Sequence, residues 1–170
     1  KKEVEGLPYR ALEMLAASAQ EEGDRNQKNN NLPTAETGPW RLGLDMPRYI
    51  PFMTHGTNRK IRETLYKAYV SRASQGKLNN KKLIEEILTL RTVQAKRLGY
   101  KHWAELSLSN KMADDVEAVE KLLEELRAAA MPAAQKELES LRDCAKRQGA
   151  AEAHKLEAWD ISFWSEKLRQ

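Results

Sequence analysis

Three histidines, His55, His102 and His154, are the side chains in this sequence best suited to holding a divalent metal. A zinc hydrolase built on one helix needs two of them four residues apart, with a glutamate between them as base. Here each histidine stands alone, without a second ligand at that spacing. Asp114/Asp115 and Glu124/Glu125 are the adjacent carboxylates that acid–base chemistry would use. At a helix start and along its first turns, they read more simply as favourable charge and a solvated face. Cys144 falls on or beside an apolar helical face and reads as a small core residue. A nucleophilic cysteine needs a neighbouring base, and the sequence supplies none nearby. The eight glycines are scattered, and none forms a phosphate-binding G-x-G-x-x-G or G-x-x-x-x-G-K loop. The four tryptophans read as core anchors rather than ligand stackers. By residue chemistry alone the sequence assigns no catalytic, cofactor-binding or metal-binding residue.

The charge is modest in sum and uneven in place. The net charge is +4, yet Arg59 to Lys101 holds twelve Lys/Arg against three Asp/Glu, while Asp114 to Glu125 is strongly acidic. A basic excess of that kind can attract nucleic acid or an acidic lipid surface. Arg91, Lys96, Arg97 and Lys101 fan around their helix without forming a stripe, and no aromatic platform alternates with them, so nucleic acid is not the expected partner. No window approaches the roughly 20 apolar residues that span a bilayer. The start, KKEVEGLP, lacks the apolar run of a secretory signal and an initiator Met. An intracellular, unsecreted chain is therefore expected, as a processed product or an excerpt. The single cysteine excludes an internal disulfide framework.

The elements that must position any site are mostly helices. At 170 residues, with 41% hydrophobic and 32% charged residues, the chain fits one domain with a polar exterior. Leu7, Ala11, Leu12, Leu15, Ala16 and Ala19 follow helical spacing, with Pro8 suited to the first turn and Gly23 to the stop. Residues 24–38, DRNQKNNNLPTAETG, hold almost nothing that could pack and read as a flexible loop. Trp40, Leu42 and Leu44 alternate, which predicts one short strand or hairpin near 40–45. A lone strand lacks a partner, and no second one is legible. Thr57 or Asn58 caps a helix with Ile61, Leu65, Ala68 and Tyr69 on one face. After a turn at Gly76 to Asn80, a further helix carries Leu83, Ile84, Ile87, Leu88 and Leu90, closed by Gly99. A shorter helix covers Trp103 to Ser109. The longest pattern starts at Asp114 or Asp115 and runs through Val116, Leu123, Leu126, Leu138, Leu141 and Ala145, with a kink or break expected near Ala128–Met131 because of Pro132. Asp160 reads as the N-cap of the last helix, with Trp159 and Trp164 placed as a hydrophobic staple. The fold class is mainly α, an antiparallel helical array with that one short strand.

The stretch LGLDMPRYIPFMTHG, residues 42–56, places two prolines among Tyr49, Ile50, Phe52 and Met53. Pro47 can open a helical turn and Pro51 limits its bonding to what precedes it, giving a rigid joint sealed by Ile50 and Phe52. The string Trp40-x-Leu42-x-Leu44-Asp45-x-Pro47-x-Tyr49-x-Pro51-x-Met53 resembles a stretch of the thimet oligopeptidase and oligopeptidase A family of zinc metallopeptidases. NRKIRETLYKAYVSRAS (Asn58 to Ser74) resembles the family's Asn-Arg-x-x-Arg-Glu-x-x-Tyr helix. LIEEILTLR, LGY, AEL and KMA continue in register, and AWDISFWSEKLRQ is similar to the family's Trp-Asp ending. RQGAAEA and GPW look closest to plant-type members. The resemblance runs from about Glu5 to Gln170 and touches positions of structural type.

That resemblance implies a much longer parent, in which the H-E-x-x-H helix and a further glutamate hold zinc outside this stretch. It implies a zinc-activated water with glutamate as general base, acting on short peptides in a deep channel. Positions 1–170 would form one segment of helical channel wall, partnered by the remaining oligopeptidase chain. By itself the segment is expected to bind no zinc and to be inactive. A cytosolic or organellar location (chloroplast or mitochondrion for a plant-type member) follows from the same likeness. The competing reading is a truncated paralogue serving as a peptide-, protein- or nucleic-acid-binding module.

Overall fold

The computed structural model describes residues 2–23 and 32–170. Within them lie seven α-helices: α1 (Tyr9–Gly23), α2 (Met46–His55), α3 (Arg59–Val70), α4 (Lys81–Arg97), α5 (Trp103–Leu108), α6 (Val116–Arg147) and α7 (Ala158–Arg169). The mainly α class is what the 3.6-residue periodicity predicts. The expected strand near 40–45 is absent: among the described residues the β pairing is a single bridge between Thr34 and Gly38. Trp40, Leu42 and Leu44 do alternate onto the core. The segment runs beside α1 and pairs with no strand: the Arg41 amide donates to the Leu15 carbonyl at 3.0 Å. Alternation reports which side chains are half-buried; it does not supply a neighbouring strand.

The contacts gather into two compact units, Lys1–Ser71 with Leu138–Gln170, and Arg72–Glu137. The first is built around two apolar clusters. Val4, Leu7, Leu15, Phe52, Met53 and Leu65 form one. Leu141, Cys144, Ala145, Phe163 and Trp164 form the other. Gly6 joins the N-terminal segment to the end of α2: its φ is +88°, and a Cβ there would lie 2.3 Å from the His55 carbonyl oxygen. Only glycine permits both the left-handed turn and that approach. Of the expected 24–38 loop, residues 24–31 lie outside the described residues. Residues 32–38 pack more than their composition suggests. Ala35 is buried, and its carbonyl accepts from the Trp40 indole at 3.2 Å.

At the proline corner, Asp45 caps α2 by accepting from the Arg48 amide at 3.3 Å, and Pro47 falls in the first turn, where its missing amide costs nothing. Phe52 and Met53 are buried, and Tyr49 stacks on Tyr69 with centroids 4.5 Å apart. Ile50, expected to seal the joint, is 52% exposed. At about 100° per residue Ile50 lies roughly 160° around the helix from Phe52, the side chain of this turn with no exposed surface.

In the second unit α4 packs against α5, and Ala95 of α4 is fully buried. Arg91 lies over the Trp103 ring at 5.1 Å. α5 is capped reciprocally: His102 Nδ1 accepts from the Glu105 amide at 3.4 Å, and the Glu105 carboxylate accepts from the Lys101 amide at 2.8 Å. Asp115 accepts from the Ala118 amide at 2.7 Å at the start of α6. α6 then runs 32 residues through Pro132 without the expected break. Proline deletes one backbone bond, and the strong helix formers around it, RAAAMPAAQKEL, keep the rest.

Candidate functional site

The histidines fall at three helix boundaries. His55 ends α2, half-buried; His102 caps α5; His154 lies in a 3₁₀ turn, Ala151–His154. Among the described residues, no three His, Cys, Asp or Glu side chains gather as a metal site. The zinc implied by the resemblance finds no donor set among the described residues. Cys144 is 4% exposed in the second apolar cluster, and the polar contact it receives is a long one from Gln148 Nε2 at 3.7 Å. A glutamine amide is not a base, so this contact does not activate the thiol. Glu124 spends its carboxylate on Arg127, at 2.6 and 2.7 Å, and Asp115 serves as the cap of α6.

The structure instead assembles a group that no sequence rule singled out. Asp160 and Arg62 are 0% and 1% exposed. α3 places Arg59 and Arg62 one turn apart on one face, and the first turn of α7 places Asp160 between them. Arg62 Nη2 donates to Asp160 Oδ1 at 3.1 Å. Arg59 Nη2 donates to Oδ2 at 2.7 Å, with its Nε 3.0 Å from Oδ1. The rest of the Arg62 fork is used on backbone: Nη1 donates to the Gly56 carbonyl at 2.7 Å and Nε to the Trp159 carbonyl at 3.2 Å. Its face rests on Phe163 at 4.2 Å.

Asp160 is not the N-cap expected of it. The cap is Glu157, three residues earlier; α7 begins at Ala158, and Asp160 sits at the third helical position. From there its Oδ2 reaches back to the Glu157 amide at 3.0 Å. The carboxylate thus satisfies a helix end and two guanidiniums at once. Burial pushes its pKa up, but the bonds from Arg59, the Glu157 amide and Arg62 outweigh that and hold it below the usual carboxylate value. Burial pushes Arg62 down, opposed by its bond to Asp160, while that same partner pushes the more exposed Arg59 up.

This cluster fixes α3 to α7; it offers no free group for reaction. A mixed-charge cleft of about 560 Å³ lies beside it, lined by Arg59, Glu63, Glu152, His154, Glu157 and Trp159 among others. Its lining mixes the carboxylates of Glu63, Glu152 and Glu157 with the cations of Arg59 and Lys155. The signal that could have found the cluster was present: Arg59, Arg62 and Asp160 are charged residues inside the very strings that carry the resemblance, at positions where a solvated charge would need no fixed identity. Of the basic stretch, Arg59 and Arg62 are committed to Asp160 and Lys67 to Glu63.

Comparison with known proteins bears on the whole chain. The model of Peptidase family M3 matches residues 52–170. Probable cytosolic oligopeptidase A of Arabidopsis thaliana is 49% identical over 170 residues, all of this chain and 23% of that protein. Organellar oligopeptidase A, chloroplastic/mitochondrial, of the same plant is also 49% identical over 170 residues, which cover 21% of its length. Oligopeptidase A of Haemophilus influenzae is 40% identical over 174 residues, 99% of this chain and 23% of that protein. The chain spans less than a quarter of the length of each of these relatives.

Proposed function

Because the chain belongs to peptidase family M3, we propose that it is a non-catalytic helical section of a longer zinc-dependent oligopeptidase. The whole enzyme hydrolyses short peptides, and this section helps build the wall of the channel that admits them. The observation that supports this reading is end-to-end similarity to oligopeptidase A across a stretch in which no metal donors gather among the described residues. The zinc and its ligands belong to the remaining chain, which is also this section's partner. No helix among the described residues is long and apolar enough to cross a membrane. A cytosolic or organellar site of action is proposed from the two plant relatives.

A chimera tests this. The stretch replaces its counterpart in the Arabidopsis cytosolic relative, and a quenched fluorescent peptide reports cleavage. Chelator-sensitive hydrolysis of the short peptide, with a folded protein left intact, is the expected result. The 170-residue chain assayed alone is expected to be inert and free of stoichiometric zinc. Zinc at one equivalent together with chelator-sensitive cleavage by the short chain would falsify the reading.

A further inference from the structure

α4 carries more apolar surface than the second unit covers. Leu83, Ile84, Ile87, Leu88 and Leu90 are each 48–60% exposed. At 3.6 residues per turn they spread over roughly 160° of the helix circumference, from Leu90 round to Leu88. A helix with water on one side needs a stripe of only about 100°. The first half of α6 fits that one-sided form: Leu122, Leu123 and Leu126, also exposed, keep to roughly 100° and leave Glu117, Glu120, Glu124 and Glu125 on the rest. α5 meets α4 toward the C-terminal end of α4, where Arg91 lies over the Trp103 ring. Two and a half turns at the N-terminal end, roughly, remain apolar on two sides.

We infer that α4 is an interior helix of the longer M3-family chain, covered on two sides by the apolar surface of that chain's remainder, and not a helix that faces the peptide channel. This rests on the function proposed above and refines it, dividing the wall into α4 within and α6 at a solvated face. The width of the arc selects the occupant. A short peptide lies along one side of a helix, and a second copy pairing through a single stripe also covers one side. Neither removes Ile84 and Leu90, about 120° apart, from water at once. The relatives are more than four times the length of this chain, so the remainder is large enough to supply surface on both sides.

The test uses Ile84→Cys and Leu90→Cys, made singly in the 170-residue chain and in the chimera. Maleimide labelling is read at those positions by peptide mass. Both sites are expected to react readily in the 170-residue chain and to slow by about tenfold or more in the chimera. Slowing at one site only, or at neither, overturns the inference in favour of a one-sided wall helix. Slowing in the 170-residue chain on addition of short peptides, or with rising concentration of the chain itself, also overturns it. Amide exchange across α4 in the unsubstituted chimera must slow in parallel, which guards against a cysteine that disturbs packing. Peptidase activity of the chimera is a separate readout. If both sites are blocked but no peptide is cleaved, the functional reading fails and the placement of α4 stands.

Discussion

Asp160 remains charged in a place without solvent because two guanidiniums and a backbone amide replace its water. Removing one member of such a group leaves the others charged and buried, at a cost of about 3–5 kcal/mol. Asp160→Asn is expected to lower stability by that order at neutral pH, because Arg62, 1% exposed, loses its counter-charge. Arg59→Ala should cost far less, about 1 kcal/mol or below, since that side chain is 36% exposed and water screens its share. The pH dependence follows from the sign of the shift. The folded pKa of Asp160 is lower than its unfolded one, so its contribution is complete above the ordinary aspartate value. It is lost as pH falls through the folded value. Urea midpoints measured from neutral pH to about pH 2.5 should show the gap between wild type and Asp160→Asn closing on the acid side. A gap that stays constant would mean that the carboxylate's charge contributes nothing.

At the scale of elements, the proline corner and the long helix give opposite expectations. Phe52 has no exposed surface, and truncating a buried Phe costs about 3–5 kcal/mol. Ile50, one step before Pro51 and half exposed, should cost under about 1 kcal/mol when cut to Ala. Lys96→Glu on exposed α4 should stay within about 0.5 kcal/mol. Urea melts of the three variants check the order, and a Phe52→Ala melt like wild type would remove the corner's structural role. Pro132 sits exposed inside α6, where proline is worse than alanine by about 3 kcal/mol. Pro132→Ala should therefore slow amide exchange in the turn it interrupts, Ala128–Pro132, and leave α7 unchanged. Helix starts were largely legible, since Asp45, Asn58 and Asp115 cap where short polar side chains predict. The cap of α7 was not. Asp160 has the right chemistry for an N-cap, but its bonds to Arg59 and Arg62 fix it at the third position.

Across the whole molecule, burial is unequal. The unit of Lys1–Ser71 with Leu138–Gln170 holds both apolar clusters and the buried ion group. In Arg72–Glu137 the residue with no exposed surface is Ala95, and large apolar side chains such as Leu78 and Met112 stand in solvent. Hydrogen exchange on the 170-residue chain is expected to find α4 and the first half of α6 opening well before α2 and α7, because few apolar contacts resist local opening there. Equal protection in both units would contradict this.

Helical class and most helix boundaries could be read from sequence, because periodicity and caps are local properties of a chain. The family likeness could be read too, since Arg59, Arg62, Trp159 and Asp160 lie in the strings that carry it. What those residues do could not. Arg59 and Asp160 are 101 positions apart in the chain, and only the packing of α3 on α7 turns three ordinary surface charges into one buried group. Alternation at Trp40, Leu42 and Leu44 could not tell a strand from an irregular segment laid on a helix, because both can half-bury every second side chain. Nor could the apolar residues of α4 reveal that this unit leaves them uncovered: a sequence shows which surface must be buried, and only tertiary contacts show what buries it.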